Sequence, residues 1–422
     1  MDQPETQATN PEKSFPMNSR PPRIRLASVL LSFSTLVPVA CSGGGDRSPA
    51  QGLGAGEYAR LELEAEHTEP FSFLNGVREL ADGTVLAADP LSQMVLHLDL
   101  AAGTADTLGR VGEGPEEYQQ PDQVFPTPGD STLLVDIGKI QLSIIDPQGG
   151  FHSGMKLATQ LDDGRMDFIL PQRVDGQGRL YYRASRIMGE EEGPQDSTLI
   201  ARYDRRTGES EDVGWVWHPK PIVTRSGDNV RTMSVQMQGR DDWAVGPDGA
   251  FAIVRAADYS VEWHYPDGRM VKGPPNPVET ETITEDEKLA FLENRASGGL
   301  MVAVTQSSSG GTDMMMSRGG GGMRPEWNLP DFEWAEKFAA FRPDRSRVSP
   351  AGLLWVERWL PHDQNPEMDV FDGDGNRLGS VTMPMGRELI GFGTTADGAP
   401  AAYLVRTDEF DLKWLERYRI VR

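Results

Sequence analysis

A turn followed by a short apolar strand recurs six times along this chain, and that repeat limits the fold more than any other feature. Asp82-Gly83 precedes Thr84-Val85-Leu86-Ala87, and Gly129-Asp130 precedes Thr132-Leu133-Leu134-Val135. Gln177-Gly178 leads into Leu180-Tyr181-Tyr182, and Asp248-Gly249 into Phe251-Ala252-Ile253-Val254. The last two are Ala351-Gly352 before Leu353-Leu354-Trp355-Val356 and Asp397-Gly398 before Ala401-Ala402-Tyr403-Leu404-Val405. The second residues of these pairs fall at 83, 130, 178, 249, 352 and 398, so three of the intervals are 47, 48 and 46. The other two, 71 and 103, read as one period plus an insertion. Further along most copies an apolar run closes on another turn, as in Leu98-Asp99, Ile145-Asp146, Tyr203-Asp204, Pro266-Asp267-Gly268 and Phe371-Asp372-Gly373.

A unit of this size with three or four short strands matches one blade of a β-propeller. Such a unit cannot bury both of its faces alone, so neighbours must stack and the ring must close. The expected fold class is all-β: a six-bladed β-propeller over 57–422, with a partly helical, partly disordered insertion at 272–345 between blades 4 and 5. The last copy supplies only three strands, ending in Trp414–Val421, while Tyr58–Glu66 alternates apolar and polar residues. Alternation suits a half-buried strand, so Tyr58–Glu66 is expected to complete the last blade and lock the circle. Asp89, Asp136, Asp258 and Asp408 close second strands. Recurrence once per blade marks them as turn caps rather than catalytic groups.

The run Gly109-Arg110-Val111-Gly112-Glu113-Gly114-Pro115-Glu116-Glu117-Tyr118, with Pro121 after it, resembles the inter-blade phrase of six-bladed, NHL-repeat-like β-propeller lipoproteins of bacterial envelopes. Glu116 stands where that family usually has Gly, and Tyr118 where it has Phe. The resemblance implies the propeller and says little about activity, because the fold hosts binding, scaffolding and catalysis.

The N-terminus reads as an address. Arg20, Arg23 and Arg25 precede an apolar run from Leu26 to Ala40 that ends at Cys41, the only cysteine. A basic segment, a short apolar segment and a small residue before the cut describe a secretory signal. Residues 1–41 are therefore assigned as a signal peptide, with Met17 as the alternative start. Pro38-Val39-Ala40-Cys41 resembles a bacterial lipobox, with Pro38 in place of the usual Leu. It implies lipidation of Cys41 and an exported protein of the cell envelope, held at the outer membrane and facing the periplasm. The Gly- and Ala-rich stretch 42–56 has the composition of a flexible tether.

Charge narrows the function classes. With 64 acidic and 41 basic side chains, the formal net charge is −23. A chain this acidic repels phosphate backbones, so a nucleic-acid partner is excluded. Contact with a membrane is expected through the lipid anchor only. The partner is then a protein or a small ligand.

The insertion opens with Thr284-Glu285-Asp286-Glu287, a capping box in which Thr284 caps and Glu287 reaches back. A helix through Leu289–Leu292 is expected to end at Gly298-Gly299. A low-complexity run from Ser307 to Gly322 follows, with Met314-Met315-Met316, and Arg324–Trp327 is a candidate to fold back over a propeller face. Shorter insertions are expected near Met188–Asp196 and His218–Gly239.

Catalytic signals are sparse. No nucleophile elbow or phosphate loop is present. Asp372-Gly373-Asp374-Gly375-Asn376 has alternating acids but lacks the distal Glu of a calcium loop and falls where a hairpin turn is due. His67, His97, His152, His218, His264 and His362 show no paired spacing, and the repeat phase sets them away from the channel. Innermost strands precede each Gly marker, and their polar residues are the candidate channel groups. These are Asn75, Arg78 and Glu79; Arg240, Asp241 and Asp242; Arg342, Asp344, Arg345 and Arg347; and Arg387 and Glu388. Glu79, Arg240, Asp241, Asp242, Arg345 and Glu388 are the ligand-binding candidates at the channel mouth, and no metal ligand is assigned. Arginines there suit ion pairing or an anionic ligand. The function expected is a binding or scaffold module without a catalytic constellation. The competing reading is a lactonase-like hydrolase or lyase with Ca²⁺ on converging carboxylates, Ca²⁺ being the one cofactor considered.

Overall fold

The structure, a computed structural model, describes residues 56–114, 116–160, 166–184, 196–226, 229–295, 300–306, 312–318 and 328–422. The expectations for the signal peptide, Cys41, the tether to residue 55, the helix stop at Gly298-Gly299, Arg324–Trp327 and most of Met188–Asp196 lie outside these residues.

Six four-stranded antiparallel sheets make up the body, each a blade. Given from the innermost strand outward, blade 1 is Val77–Glu79, Val85–Asp89, Met94–Asp99 and Thr104–Leu108. Blade 2 is Pro121–Pro126, Thr132–Asp136, Gln141–Ile145 and Phe151–Lys156; blade 3 is Arg173–Val174, Leu180–Arg183, Ser197–Asp204 and Glu209–Trp217. Blade 4 is Asp242–Val245, Phe251–Arg255, Ser260–His264 and Met270–Lys272; blade 5 is Arg347–Val348, Leu354–Glu357, Glu367–Phe371 and Arg377–Thr382. Blade 6 takes Arg387–Thr394, Pro400–Thr407 and Lys413–Val421, with Arg60–Glu66 as its outermost strand. That last pairing runs from Arg60 opposite Val421 to Glu66 opposite Glu416, so the expected lock forms.

The middle of every second strand is apolar because both of its faces are buried. Leu133 and Val135 pack toward blade 3, and Leu134 between them packs toward blade 1. Tyr181 faces blade 4 while Leu180 and Tyr182 face blade 2, and Trp355 faces blade 6 while Leu354 and Val356 face blade 4. Tyr403 and Val405 point to blade 1, and Ala402 and Leu404 to blade 5. One apolar core fills each gap between neighbouring blades. A strand covered on both sides loses its polar alternation, which is why the repeat shows in the sequence as solid apolar blocks.

Five residues join the first and second strands of every blade, at 80–84, 127–131, 175–179, 246–250, 349–353 and 395–399. In each link the first N–H donates to the carbonyl of the fifth residue, as from Leu80 to Thr84 and from Ser349 to Leu353. The marker residue is left-handed in every case: Gly83, Gly178, Gly249, Gly352 and Gly398, with Asp130 at φ 58° in blade 2. Glycine carries no Cβ penalty in that region, and Asp tolerates it better than most residues.

The segment between blades 4 and 5 holds the helix Glu285–Arg295, a hairpin of Leu300–Gln306 with Thr312–Arg318, and a 3₁₀ turn at Leu329–Asp331. Thr284 caps the helix as expected, its hydroxyl accepting from Glu287 N–H at 3.3 Å. The Glu287 carboxylate instead accepts from His362, which lies beyond the second strand of blade 5. Met314, Met315 and Met316 lie on the second strand of the hairpin, opposite Val304, Ala303 and Val302. The remainder of the low-complexity run falls outside the described residues. Among the described residues no helix is long and apolar enough to cross a membrane.

Candidate functional site

Every innermost strand begins at the same face of the propeller, because each is fed by the connection from the outermost strand of the blade before it. Long connections therefore rise from that one face. The link from blade 2 to blade 3 carries a hairpin, Ala158–Gln160 with Met166–Phe168, and the link from blade 3 to blade 4 carries another, Ile222–Ser226 with Asn229–Met233. The link from blade 4 to blade 5 carries the helix. The latter two links meet, with Trp359 of blade 5, in a small apolar core of Met237, Ile283, Phe338 and Trp359, flanked by Phe291 and Trp334. Backbone bonds tie them together, with Gln236 N–H donating to Glu333 O and Ala335 N–H to Gln236 O. The result is a packed roof on that face, beside blades 4 and 5.

Beside that roof the polar ends of the innermost strands collect as a guanidinium cluster. Arg173 starts blade 3, Arg347 starts blade 5, and both donate to the Ser346 carbonyl, at 3.3 and 3.0 Å. Their other acceptors are the Gln172 carbonyl for Arg173 and the Asp344 carbonyl for Arg347. Arg173 also stacks over Trp243 at 5.6 Å. Asp344 is the acid among them: Arg183 donates to it at 2.7 Å, and Arg240 reaches its second oxygen. Asp242 accepts from the Ser346 N–H at 2.9 Å, and Arg345 pairs with Glu388. Arg342 pairs with Glu357 at 3.2 Å and lies 5.9 Å from the Trp359 ring, which joins the cluster to the roof.

Crowding by protein shapes the charges here. Burial pushes the Arg347 guanidinium down to about 9, and the neighbouring Arg173 and Arg345 charges add to that. Arg173 and Arg345 are lowered by burial too. Crowding would raise the Asp344 carboxyl, but the Arg240 and Arg183 charges outweigh it and hold it below the usual carboxylate range.

The carboxylates of the calcium alternative do not come together. Glu79 lies at the far end of its strand, accepting from Thr394 N–H at 2.9 Å and from the Thr394 and Tyr403 hydroxyls. It links blade 1 to blade 6, and its bonds go to neither Asp344 nor the arginines around it. Asp241 holds Trp217 N–H, Ala256 N–H and Arg255. Asp242, next in the chain, turns to Ser346, and Glu388 is taken by Arg345. Among the described residues no three His, Cys, Asp or Glu groups stand close enough to hold a metal. His97 meets Thr84, His152 meets Asp146 and His264 meets Glu262, each within its own blade. Arg387 is occupied by Glu416 at 3.0 Å. Asp372 accepts from Asp374 N–H and Asn376 N–H, so its segment is a hairpin turn.

Arg240, Asp242, Arg345 and Glu388 are thus brought to one mouth, while Glu79 and Asp241 serve blade contacts. Arg173 and Arg183 escaped the sequence reading. The repeat phase held the signal for Arg173: Arg78, Arg173 and Arg347 each stand five residues before their Gly marker, at 83, 178 and 352. The structure puts them in the same register, opposite Leu86, Tyr181 and Trp355. Phe125, Ala244 and Gly393 fill that register in blades 2, 4 and 6, opposite Leu133, Ala252 and Ala401. Arg78 turns the other way, to Asp130 at 2.5 Å.

No family model matches the chain, and no curated protein matches it. Among solved structures it is similar to a calcium-binding regucalcin from Agrobacterium tumefaciens, at 13% identity over 85% of this chain and 96% of that one, with a TM-score of 0.40. It is also similar to a member of the DUF4221 family from Bacteroides vulgatus, at 11% identity over 86% and 97%, with a TM-score of 0.45. A gluconolactonase from Xanthomonas campestris shares 11% identity over 85% and 94%, with a TM-score of 0.34.

Proposed function

We propose that this protein is an envelope-anchored propeller that binds a ligand at the channel mouth and does no chemistry on it. The observation that carries this reading is the guanidinium cluster at the face from which the long connections rise. A rigid ring supports it, and the loops around it supply shape; sites on such scaffolds are commonly built this way. The basic and apolar N-terminal segment ending at Cys41 supports export, lipidation and a place on the periplasmic side of the outer membrane. The hydrolase or lyase alternative needs a metal-binding set of acids, and Glu79, Asp241, Asp242 and Glu388 each hold another group.

Thermal unfolding of the full chain in detergent micelles tests the binding reading. A set of anionic, neutral and cationic small molecules is screened, each with EDTA and with millimolar Ca²⁺. A ligand that binds only the native state raises the midpoint in proportion to ln(1 + [L]/Kd). The expected result is a rise with anionic compounds that are recovered unchanged. A rise with Ca²⁺ that EDTA removes, with turnover of an ester or lactone, would favour the metal-enzyme alternative instead.

A further inference from the structure

We infer that the guanidinium cluster is a site for a small dicarboxylate, and that the Asp344 carboxylate occupies part of it in the unliganded protein. The inference rests on the binding reading above and supplies the class of ligand.

Charge is the first ground. In a chain of net charge −23, Arg173, Arg183, Arg240, Arg345 and Arg347 gather around Asp242 and Asp344, with Glu388 paired to one of them. Arg173 and Arg347 hydrogen-bond only backbone carbonyls, and neither has a carboxylate at salt-bridge distance among the described residues. The Asp242 and Asp344 carboxylates act on both cations without touching them, so five guanidiniums share three carboxylates, and crowded cations in excess leave room for a further counter-ion. The buried Nε atoms of Arg173 and Arg240 also have no hydrogen-bond partner among the described residues, and buried donors are rarely left so.

Asp344 is the second ground. Its side chain is 53% exposed although it bridges Arg183 and Arg240, so it sits at the entrance rather than in the wall. A guanidinium fork matches a carboxylate in two-point fashion. One carboxylate of a ligand would take the place of Asp344 between Arg183 and Arg240. The second would face Arg173 and Arg347, which now have only carbonyls.

The test is calorimetric titration of the full chain in detergent with malonate, succinate and glutarate, which differ in carboxylate spacing. Ionic strength is held constant with chloride; dimethyl succinate is the neutral control and inorganic phosphate the competing oxyanion. At least one dicarboxylate should bind. Arg347→Gln should weaken it about tenfold or more, the loss of a charge-assisted pair. Asp344→Asn, at an exposed position, should tighten it about tenfold by freeing two guanidiniums. Arg60→Gln, on the outermost strand of blade 6, should change nothing. If Arg347→Gln does not fold, Asp344→Asn alone decides. Three results overturn the inference: no dicarboxylate binds, dicarboxylate affinity is indifferent to Asp344→Asn, or only phosphate binds in a variant-sensitive way. In those cases other ligands in the thermal screen can still bind, and the binding reading survives. If nothing in the screen binds, both fall.

Discussion

Glu287 sits in the first turn of the helix, and its carboxylate accepts from both His362 N–H and His362 Nδ1, at 2.9 and 2.7 Å. That hydrogen bond raises the His362 pKa above its ordinary 6.5, and Asp363 and Asp286 add to the rise. A raised value means that the pairing stabilises fully below pH 6.5 and fades as pH climbs through the folded value. Amide exchange of the helix, corrected for its intrinsic pH dependence, should therefore quicken as pH rises above 6.5, and Glu287→Gln should abolish that change. An identical profile in the variant would remove the latch from the account. The capping signature Thr284-x-x-Glu287 placed the helix start correctly but could not name His362, since the partner comes from another blade. The recurrent acids were more legible. Asp89 accepts from Ser72, Leu91 and Ser92 N–H, and Asp136 from Gln119, Gln120 and Lys139 N–H. Asp408 likewise holds Phe410 and Leu412 N–H. Asp258 holds its own turn at Ser260, and in blade 4 Asp241 pins the strand ends. A repeat preserves the job better than the position.

Among the elements, the strand Arg60–Glu66 has the clearest energetic role. It covers the edge of Lys413–Val421, and Arg417 pairs with Glu64 across the seam at 2.5 Å. Ala59, just before it, is fully buried in the core between blades 5 and 6. A chain lacking residues 57–66 should lose about 1 kcal/mol for each ladder hydrogen bond removed, several in all. Its urea unfolding midpoint should fall, and the peptide Arg60–Glu66 added in trans should partly restore it. An unchanged midpoint would mean that the ring does not close through this strand. The inter-blade phrase was also legible as an element. Arg110 and Gly112 bracket Tyr118 through backbone bonds, and Tyr118 packs by Phe151 at 6.0 Å. Gly109 is needed there, since a Cβ would lie 2.9 Å from the Phe151 ring. The hairpin Ala158–Gln160 with Met166–Phe168 gave no warning, because strands of three residues are too short to show a period.

At the scale of the whole molecule, anchoring and ring closure answer different questions. Full-length protein expressed in a bacterial host should fractionate with the outer membrane, and Cys41→Ser should move it to the soluble periplasmic fraction. Persistent membrane association of that variant would argue against a lipid on Cys41. The blade count, the turn markers and the closing strand were readable from sequence alone, because each depends on local turn geometry and on apolar blocks repeated in register. Only the tertiary structure decided which polar side chains meet. Arg173 and Arg183 lie at least 161 residues before Asp344 and Arg347 in the chain, and what joins the two pairs is the stacking of blades 3 to 5. A side chain at the end of a strand can turn to its own channel or to the neighbouring blade, as Arg347 and Arg78 do from the same register. That choice follows from the groups across the gap, which no local stretch of sequence records.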